Sequence, residues 1–351
     1  MPSITKPVAI HPSLHRNDLG LTVRDYEGTM STLCAGCGHD SVTAAITRAF
    51  WELSTPPHMI AKLSGIGCSS KTPTYFVSGA HGFNSAHGRM AALATGANAA
   101  NRELVYIGIS GDGDSLSIGL GHMCHAIRRN VRMLYVIENN GVYGLTKGQF
   151  SASADIGSKS KRGEPNRMAP IDPVSLGLSL GATFIARSFS GDKEQLIPIL
   201  KAGIAHNGFA LVDVISPCVT FNDHKGSTKS YLYTRQHEIR ATEADFVPPA
   251  SEILANIGQN GAVSVAMHDG SVVRFKGVPQ DYDPRDRDKV LAYLHEHQGK
   301  GEVVTGLLYI DESVPNLHEL NNTSDMPLAR MPYEKLCPGA AELDKLQAEF
   351  Q

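Results

Sequence analysis

Between about residues 29 and 216, short continuous apolar runs alternate with longer amphipathic stretches. The runs at 59–63, 104–109, 133–137, 183–186 and 210–215 have strand length and few polar interruptions, as expected of strands buried on both faces. Helical patterns lie between them. Residues 84–101 are rich in alanine. Residues 116–129 place Leu116, Leu120, Met123, Cys124 and Ile127 on one face, and residues 192–206 open with Asp192 as a helix cap. This alternation predicts an α/β fold, a mostly parallel sheet sandwiched by helices, with a C-terminal extension. Beyond residue 216 the pattern changes. Residues 219–238 are polar and read as a long loop. Residues 263–276 alternate around Asp269-Gly270, a hairpin signal. Residues 283–298 read as a charged helix with Asp283 as cap and Pro284 in first position, residues 302–310 as a further strand, and the tail at 331–351 as a short amphipathic pattern. The first residues carry Pro2, Pro7 and Pro12 and read as an extended arm. The expected units are an arm at 1–28, a core domain at 29–218, and a C-terminal region at 219–351 that packs on the core or on a partner.

Composition narrows the function classes. The 351 residues are 42% hydrophobic, enough for a sizeable core. Charged residues make up 19%, below the roughly 25% typical of soluble proteins, which fits a chain that buries surface against a partner. A formal net charge of -3 gives no electrostatic case for nucleic acid or an anionic membrane. The start lacks a signal-peptide pattern and no run is long enough to span a bilayer, so the expected setting is cytoplasmic, without membrane. There the six cysteines are expected to serve as metal ligands or buried thiols, not disulfides.

The most specific chemistry begins where the second strand ends, in Gly111-Asp112-Gly113-Asp114. The next strand ends in Glu138-Asn139-Asn140-Gly141-Val142-Tyr143-Gly144. Adjacent parallel strands set their carboxyl ends side by side. Asp112 and Asn140 can then reach one small cation. A carboxylate, an amide oxygen, a backbone carbonyl and diphosphate oxygens make a suitable shell for Mg²⁺. Gly113 would let the backbone approach phosphates closely, and the start of the 116–129 helix would offer free N–H groups to an anion. Either half alone is an ordinary turn; both halves on consecutive strand ends form the signal. The pattern resembles that of thiamine-diphosphate enzymes. By that resemblance Asp112, Asn140 and the Val142 carbonyl would hold Mg²⁺. Gly113, Asp114, Gly144 and Leu145 would line the diphosphate or thiazolium region.

The cysteines form a second constellation. Cys34-Ala35-Gly36-Cys37-Gly38-His39 precedes a helical segment, Gly65-Ile66-Gly67-Cys68-Ser69-Ser70-Lys71 follows the first strand, and Ser216-Pro217-Cys218 follows the last apolar run. Four such thiolates could hold Zn²⁺ or a [4Fe–4S] cluster. A structural zinc site usually has a second close pair, so separated third and fourth cysteines suit a cluster better. Spacing leaves the fourth ligand open between Cys218 and Cys337. Cys124 shares an apolar helix face and reads as a buried thiol. A zinc site of His122 and His125 around it is less favoured than ordinary surface or core histidines, and His39 and His81 carry no assignment.

Thiamine diphosphate beside an iron–sulfur cluster implies oxidative decarboxylation coupled to a one-electron carrier. From about residue 30 to 310 the chain resembles the β subunit of 2-oxoacid:ferredoxin oxidoreductases. His87-Gly88-Arg89 and residues 138–149 join the motifs above as its marks. The resemblance implies that Cys34, Cys37, Cys68 and Cys218 ligate the cluster, which favours Cys218 over Cys337. It also implies that Ile66, Gly67, Cys68 and Ser69 flank the thiamine cofactor, with His87 near the diphosphate. An α subunit would supply an activating Glu, the pyrimidine end of the cofactor and the CoA site, so no catalytic acid is expected here. The assembly would be a heterodimer that pairs again, with ferredoxin as acceptor. Lys71 and Leu145 fall at substrate-pocket positions, and a lysine there could pair with the distal carboxylate of 2-oxoglutarate. The implied reaction converts 2-oxoglutarate and CoA to succinyl-CoA and CO₂, or runs in reverse in a reductive TCA cycle. A pyruvate or broad-range oxidoreductase is the near alternative. A non-catalytic electron-transfer or scaffold module, and a non-oxidative thiamine enzyme, are the distant ones.

Overall fold

The apolar runs pair edge to edge. The structure, a computed structural model, describes residues 11–159, 163–249, 263–276, 278–279, 282–337 and 339–350. The main sheet contains Ile60–Ser64 (β1), His81–Asn84 (β2), Val105–Gly111 (β3), Met133–Asn139 (β4), Phe184–Phe189 (β5), Phe209–Ile215 (β6), Glu238–Arg240 (β7) and Val303–Ile310 (β8). Their order is β2-β1-β3-β4-β6-β5-β8-β7. From β2 to β5 every pairing is parallel; β8 runs antiparallel to β5 and parallel to β7. The sheet thus continues well past residue 218 and takes its last two strands from the C-terminal region.

Side-chain alternation along the strands builds a core on each face. Leu134 and Val136 of β4, and Ala210, Val212 and Val214 of β6, join Val42, Ile46 and Phe50 of α1 (Gly38–Glu52) on one face. Met133, Tyr135 and Ile137, with Phe209 and Leu211, meet Met90 and Ala94 of α2 (Met90–Ala100) and Met123 and Ile127 of α3 (Leu120–Arg128) on the other. Covered on both sides, β4 and β6 are buried along their whole length. The expected hairpin forms: Val263–Ala266 and Val272–Lys276 pair around a turn with Gly270 at φ +83°, and Glu243–Val247 adds a third strand. Phe246, Val273 and Phe275 carry this small sheet into the first core.

Several expectations need correction. The alanine-rich segment is a strand at 81–84 and a helix only from Met90. Gly88, at φ +72°, turns the chain between them, and a side chain there would come within 2.7 Å of Ile118. The helix expected at 116–129 is broken: Asp114–Ile118 is a π-helical turn and the α-helix starts after Gly119. Such turns accumulate at functional sites. The polar stretch 219–238 is not all loop. Ser230 accepts a hydrogen bond from the Tyr233 N–H and caps a helix over Tyr231–His237. Asp283 is not the cap of the charged helix. That helix is Arg287–Gly299, and the Asp286 side chain accepts from the N–H groups of Asp288 and Lys289. In the arm, Pro2 and Pro7 lie outside the described residues, but residues 22–26 form a capped turn that buries Tyr26 completely.

Asp286→Ala is expected to lower stability by about 1 kcal/mol, and Asp283→Ala by less, when urea midpoints are compared. The reverse order would restore the earlier cap.

Candidate functional site

Strand register brings four loops to one edge. Ser64 pairs with Ile109, Gly111 with Glu138, and Asn139 with Ile215, so β1, β3, β4 and β6 end side by side. Asp112 and Asp114 both lie buried there and face different ways. Asp112 turns towards the end of β4. Its Oδ2 accepts from the Gly141 N–H (3.1 Å), the Ser153 hydroxyl (2.5 Å) and the Ser151 hydroxyl. Among the described residues its Oδ1 has only the Asn140 N–H, at 3.4 Å. Oδ1 is therefore the oxygen left for a cation. The Asn140 side-chain oxygen accepts from the Val142 N–H at 3.0 Å, and the Asn222 amide holds the Asn140 carbonyl at 2.8 Å. One carboxylate and one amide oxygen beside a cleft that Val142 also lines are donors of the kind Mg²⁺ takes.

Asp114 has both oxygens engaged by protein. Oδ2 accepts from the Ile66 N–H (3.2 Å) and the Ser110 hydroxyl (2.8 Å), and Oδ1 from the Gly88 N–H (3.0 Å). It fastens the loop after β1 to β3 and to the turn before α2. Gly113 has a reason beyond phosphate approach: a Cβ there would lie 2.5 Å from the Tyr143 ring, whose hydroxyl donates to the Gly113 carbonyl at 2.7 Å. A narrow cleft between these loops is lined by Ile66, Cys68, Asp112, Asn140, Tyr143 and Gly144.

The cysteines converge beside this cleft. A Cβ on Gly144 would lie 3.3 Å from Cys68 Sγ and 3.5 Å from Cys218 Sγ, so both sulfurs sit against the same glycine. The Gly38 N–H donates to the Pro217 carbonyl (3.2 Å), Tyr231 to the Gly36 carbonyl (3.1 Å), and Thr220 to Cys34 Sγ (3.5 Å), which locks the Cys34–Cys37 turn onto the Cys218 loop. Burial pushes the Cys37 thiol up to about 12, with Glu138, Cys218 and Cys68 adding repulsion. Burial and the charge of Cys218 push Cys68 up to about 11. Thiols packed this way ionise only beside a cation, the chemistry of a thiolate-ligated metal group. Among the described residues no three His, Cys, Asp or Glu stand close enough to share a single metal ion. Thiolates around a polynuclear centre are spaced more widely. Cys124 is half-buried on α3, and Cys337 is exposed in the tail.

Between cleft and thiols lies a buried pair that sequence reasoning left without a role. Glu138 is fully buried, accepts from the Thr72 hydroxyl at 3.0 Å on both oxygens, and lies 3.7 Å from His39 Nδ1. Burial holds its carboxyl well above the usual 4.5 and pulls His39 down to about 4, so burial disfavours the charged form of each. His39 Nδ1 is 2.6 Å from the Ser216 hydroxyl, beside Pro217-Cys218. Lys71 is half-buried and reaches Thr32 at 3.5 Å; Leu145 is half exposed. His87 is exposed and has no hydrogen bond among the described residues, while Arg89 contacts His122. Ser151 and Ser153 were missed: their only signal is a period-two spacing after Phe150 that puts both hydroxyls on one side.

A family model described as thiamine pyrophosphate enzyme, C-terminal TPP binding domain, matches residues 65–214. The chain is 42% identical over 207 residues to the 2-oxoacid:ferredoxin oxidoreductase subunit beta of Saccharolobus solfataricus, covering 59% of this chain and 67% of that one. It is 38% identical over 236 residues to 2-oxoacid:ferredoxin oxidoreductase 2, subunit beta, of Aeropyrum pernix, covering 65% and 76%. This chain belongs to the 2-oxoacid:ferredoxin oxidoreductase β-subunit family.

A further member of that β-subunit family, the 2-oxoglutarate oxidoreductase subunit KorB of Mycobacterium tuberculosis, is 38% identical over 224 residues, covering 63% of this chain but only 58% of its own length. A solved structure, the 2-oxoglutarate:ferredoxin oxidoreductase from Magnetococcus marinus with 2-oxoglutarate, coenzyme A and succinyl-CoA bound, matches 97% of this chain and 99% of its own at 28% identity, with a TM-score of 0.72. The mostly parallel, helix-covered sheet and its thiamine-binding portion are thus those of the 2-oxoacid:ferredoxin oxidoreductase β subunits.

Two predictions follow from the geometry of this β subunit. Ser153→Ala removes one of the three donors to Asp112 Oδ2 and should weaken thiamine diphosphate binding by about tenfold, as removal of a supporting partner commonly does; unchanged affinity in a calorimetric titration would refute the orienting role. Glu138 gives up its proton less readily folded than unfolded, so it withdraws stability as pH rises above about 4.5. His39 has the opposite slope, with stability lost as pH falls from 6.5 towards about 4. Glu138→Gln should therefore gain melting temperature over the parent as pH rises above about 4.5; a difference that does not grow with pH would refute the raised carboxyl.

Proposed function

We propose that this chain is the cofactor-binding β subunit of an enzyme that converts 2-oxoglutarate, CoA and oxidised ferredoxin to succinyl-CoA, CO₂ and reduced ferredoxin, and that can run in reverse. The observation that carries this reading is the meeting of an oxygen-donor pair, Asp112 and Asn140, and the thiols of Cys68 and Cys218 around one cleft, which Gly144 lines. In the reading, Asp112, Asn140 and the Val142 carbonyl hold Mg²⁺, while Ile66, Gly67, Ser69 and Gly113 shape the wall against thiamine diphosphate. Cys34, Cys37, Cys68 and Cys218 hold a [4Fe–4S] cluster. Thiamine diphosphate, when bound, supplies the carbanion stabilisation that follows loss of CO₂. The chain's own residues position the reactants: Asp112 anchors the cation that offsets diphosphate charge, and the loops after β1 and β4 exclude water between cleft and thiols. Lys71, on the turn after Cys68, is suited to the distal carboxylate of a dicarboxylic oxoacid, with Leu145 on the other side of the pocket. In the reading an α subunit supplies the group that activates the cofactor. Dimers of such heterodimers in the cytoplasm complete the proposal.

The test is anaerobic reduction of ferredoxin or a viologen by the chain co-purified with its partner, with 2-oxoglutarate or pyruvate, each with and without CoA. CoA-dependent reduction with 2-oxoglutarate alone is expected; reduction by pyruvate instead would keep the class and reject Lys71 as carboxylate reader. Asp112→Ala should lose thiamine diphosphate and keep iron, and Cys34→Ala should lose iron and keep thiamine diphosphate. An assembly that holds zinc and no iron would overturn the electron-transfer role.

A further inference from the structure

Lys62 interrupts the apolar run of β1, and its side chain is 8% exposed. Two of its three N–H donors go to backbone carbonyls, Phe76 at 2.5 Å and Val77 at 2.8 Å, and the ammonium stands 5.2 Å from the Phe76 ring. These contacts satisfy donors but do not neutralise the charge. Among the described residues no carboxylate lies within ion-pair distance of it, and burial alone pulls its pKa down to about 8. An interior ammonium without a counter-charge is an uncompensated cost.

Lys62 lines a cavity of about 350 Å³ at the β1–β2 edge of the sheet, together with Thr29, Ser64, Ser70, Ser78 and Asn84. The lining is rich in groups that recognise oxygen anions. Ser64 donates to the Asn84 side-chain oxygen at 3.0 Å, which leaves the Asn84 amide N–H groups to donate elsewhere. The Thr29 and Ser78 hydroxyls are spent on carbonyls at 3.3 Å, contacts long enough to be exchanged for a stronger acceptor. The cavity is separate from the cofactor cleft. The turn after β1 is their common wall, with Cys68 and Ser69 facing the cleft and Ser70 facing the cavity.

We propose that the Lys62 cavity is a binding site for a small oxyanion, a carboxylate or phosphate group, held by the free Lys62 N–H and the Asn84 amide. This site is not used in the reaction proposed above and does not depend on it.

The experiment is calorimetric titration of the assembled protein with two probes, inorganic phosphate and succinate, on the parent, Lys62→Met, Asn84→Asp and Lys71→Met. Asn84→Asp keeps the acceptor for Ser64 while setting a carboxylate beside Lys62. It lies at an exposed position, so it decides the matter even if Lys62→Met fails to assemble. The expected result is binding of at least one probe by the parent, weakened by about tenfold or more in both cavity variants and retained in Lys71→Met. Preference for phosphate or for succinate then identifies the source of the oxyanion. Absence of binding to the parent, parent-like affinity in Asn84→Asp, or loss in Lys71→Met would overturn the proposal.

Discussion

The Asp114 carboxylate is the fixed point of the functional edge. Through the Ile66 N–H, the Ser110 hydroxyl and the Gly88 N–H it ties together three segments that are far apart in sequence. A buried carboxylate must find donors, and here its donors are the loops themselves. Gly65 shows how close the packing is: a Cβ there would lie 2.4 Å from the Asp114 side chain. Once Ile66 is fixed, the Gly67–Ser69 turn has a defined place and Cys68 is delivered to the thiol cluster. Asp112, two residues earlier, repeats the principle towards the end of β4. The two acids of Gly-Asp-Gly-Asp therefore divide the labour. One assembles the loops, and the other keeps an oxygen available for a cation.

This division was only partly legible in the sequence. The parallel sheet could be read because strands buried on both faces are nearly uninterrupted apolar runs, and β4 and β6 are of that kind. The pairing of Asp112 with Asn140 could be read because consecutive strand ends in such a sheet are neighbours. Which way each acid points could not be read, since a π-helical turn follows Asp114 where a regular helix was expected. The partners Ser151, Ser153 and Asn222 lie in loops without periodicity, and only the fold brings them to Asp112 and Asn140. The charged helix misled for another reason. Asp283-Pro284 and Asp286 are both plausible starts, and the second prevails because Arg285 folds back onto Asp283 and occupies its carboxylate.

Gly144 illustrates how one residue can serve two chemistries. Its position after Asn140 is set by the oxygen-donor loop, yet its missing side chain is required by Cys68 and Cys218. A methyl group would press on the Cys68 sulfur, 3.3 Å away, and meet the Cys218 sulfur at ordinary contact distance, 3.5 Å. The cleft and the thiol cluster therefore meet at Gly144 and Cys68, both of which line the cleft.

That meeting point also limits how much charge the edge can carry. Glu138 adds repulsion to both Cys37 and Cys68 whenever it is ionised. Its complete burial, with a single hydroxyl donor, raises its pKa and so favours the protonated carboxyl. A charged Glu138 would oppose thiolate formation in the low-dielectric interior, whereas a neutral one leaves the cation's attraction to be spent on the sulfurs alone. Replacing it by an alkyl side chain would remove the acceptor for Thr72, on the segment directly after the Cys68 turn. The carboxyl thus serves as a hydrogen-bonding strut, polar enough to hold the Thr72 segment, while its burial disfavours a charge beside the Cys37 and Cys68 thiols.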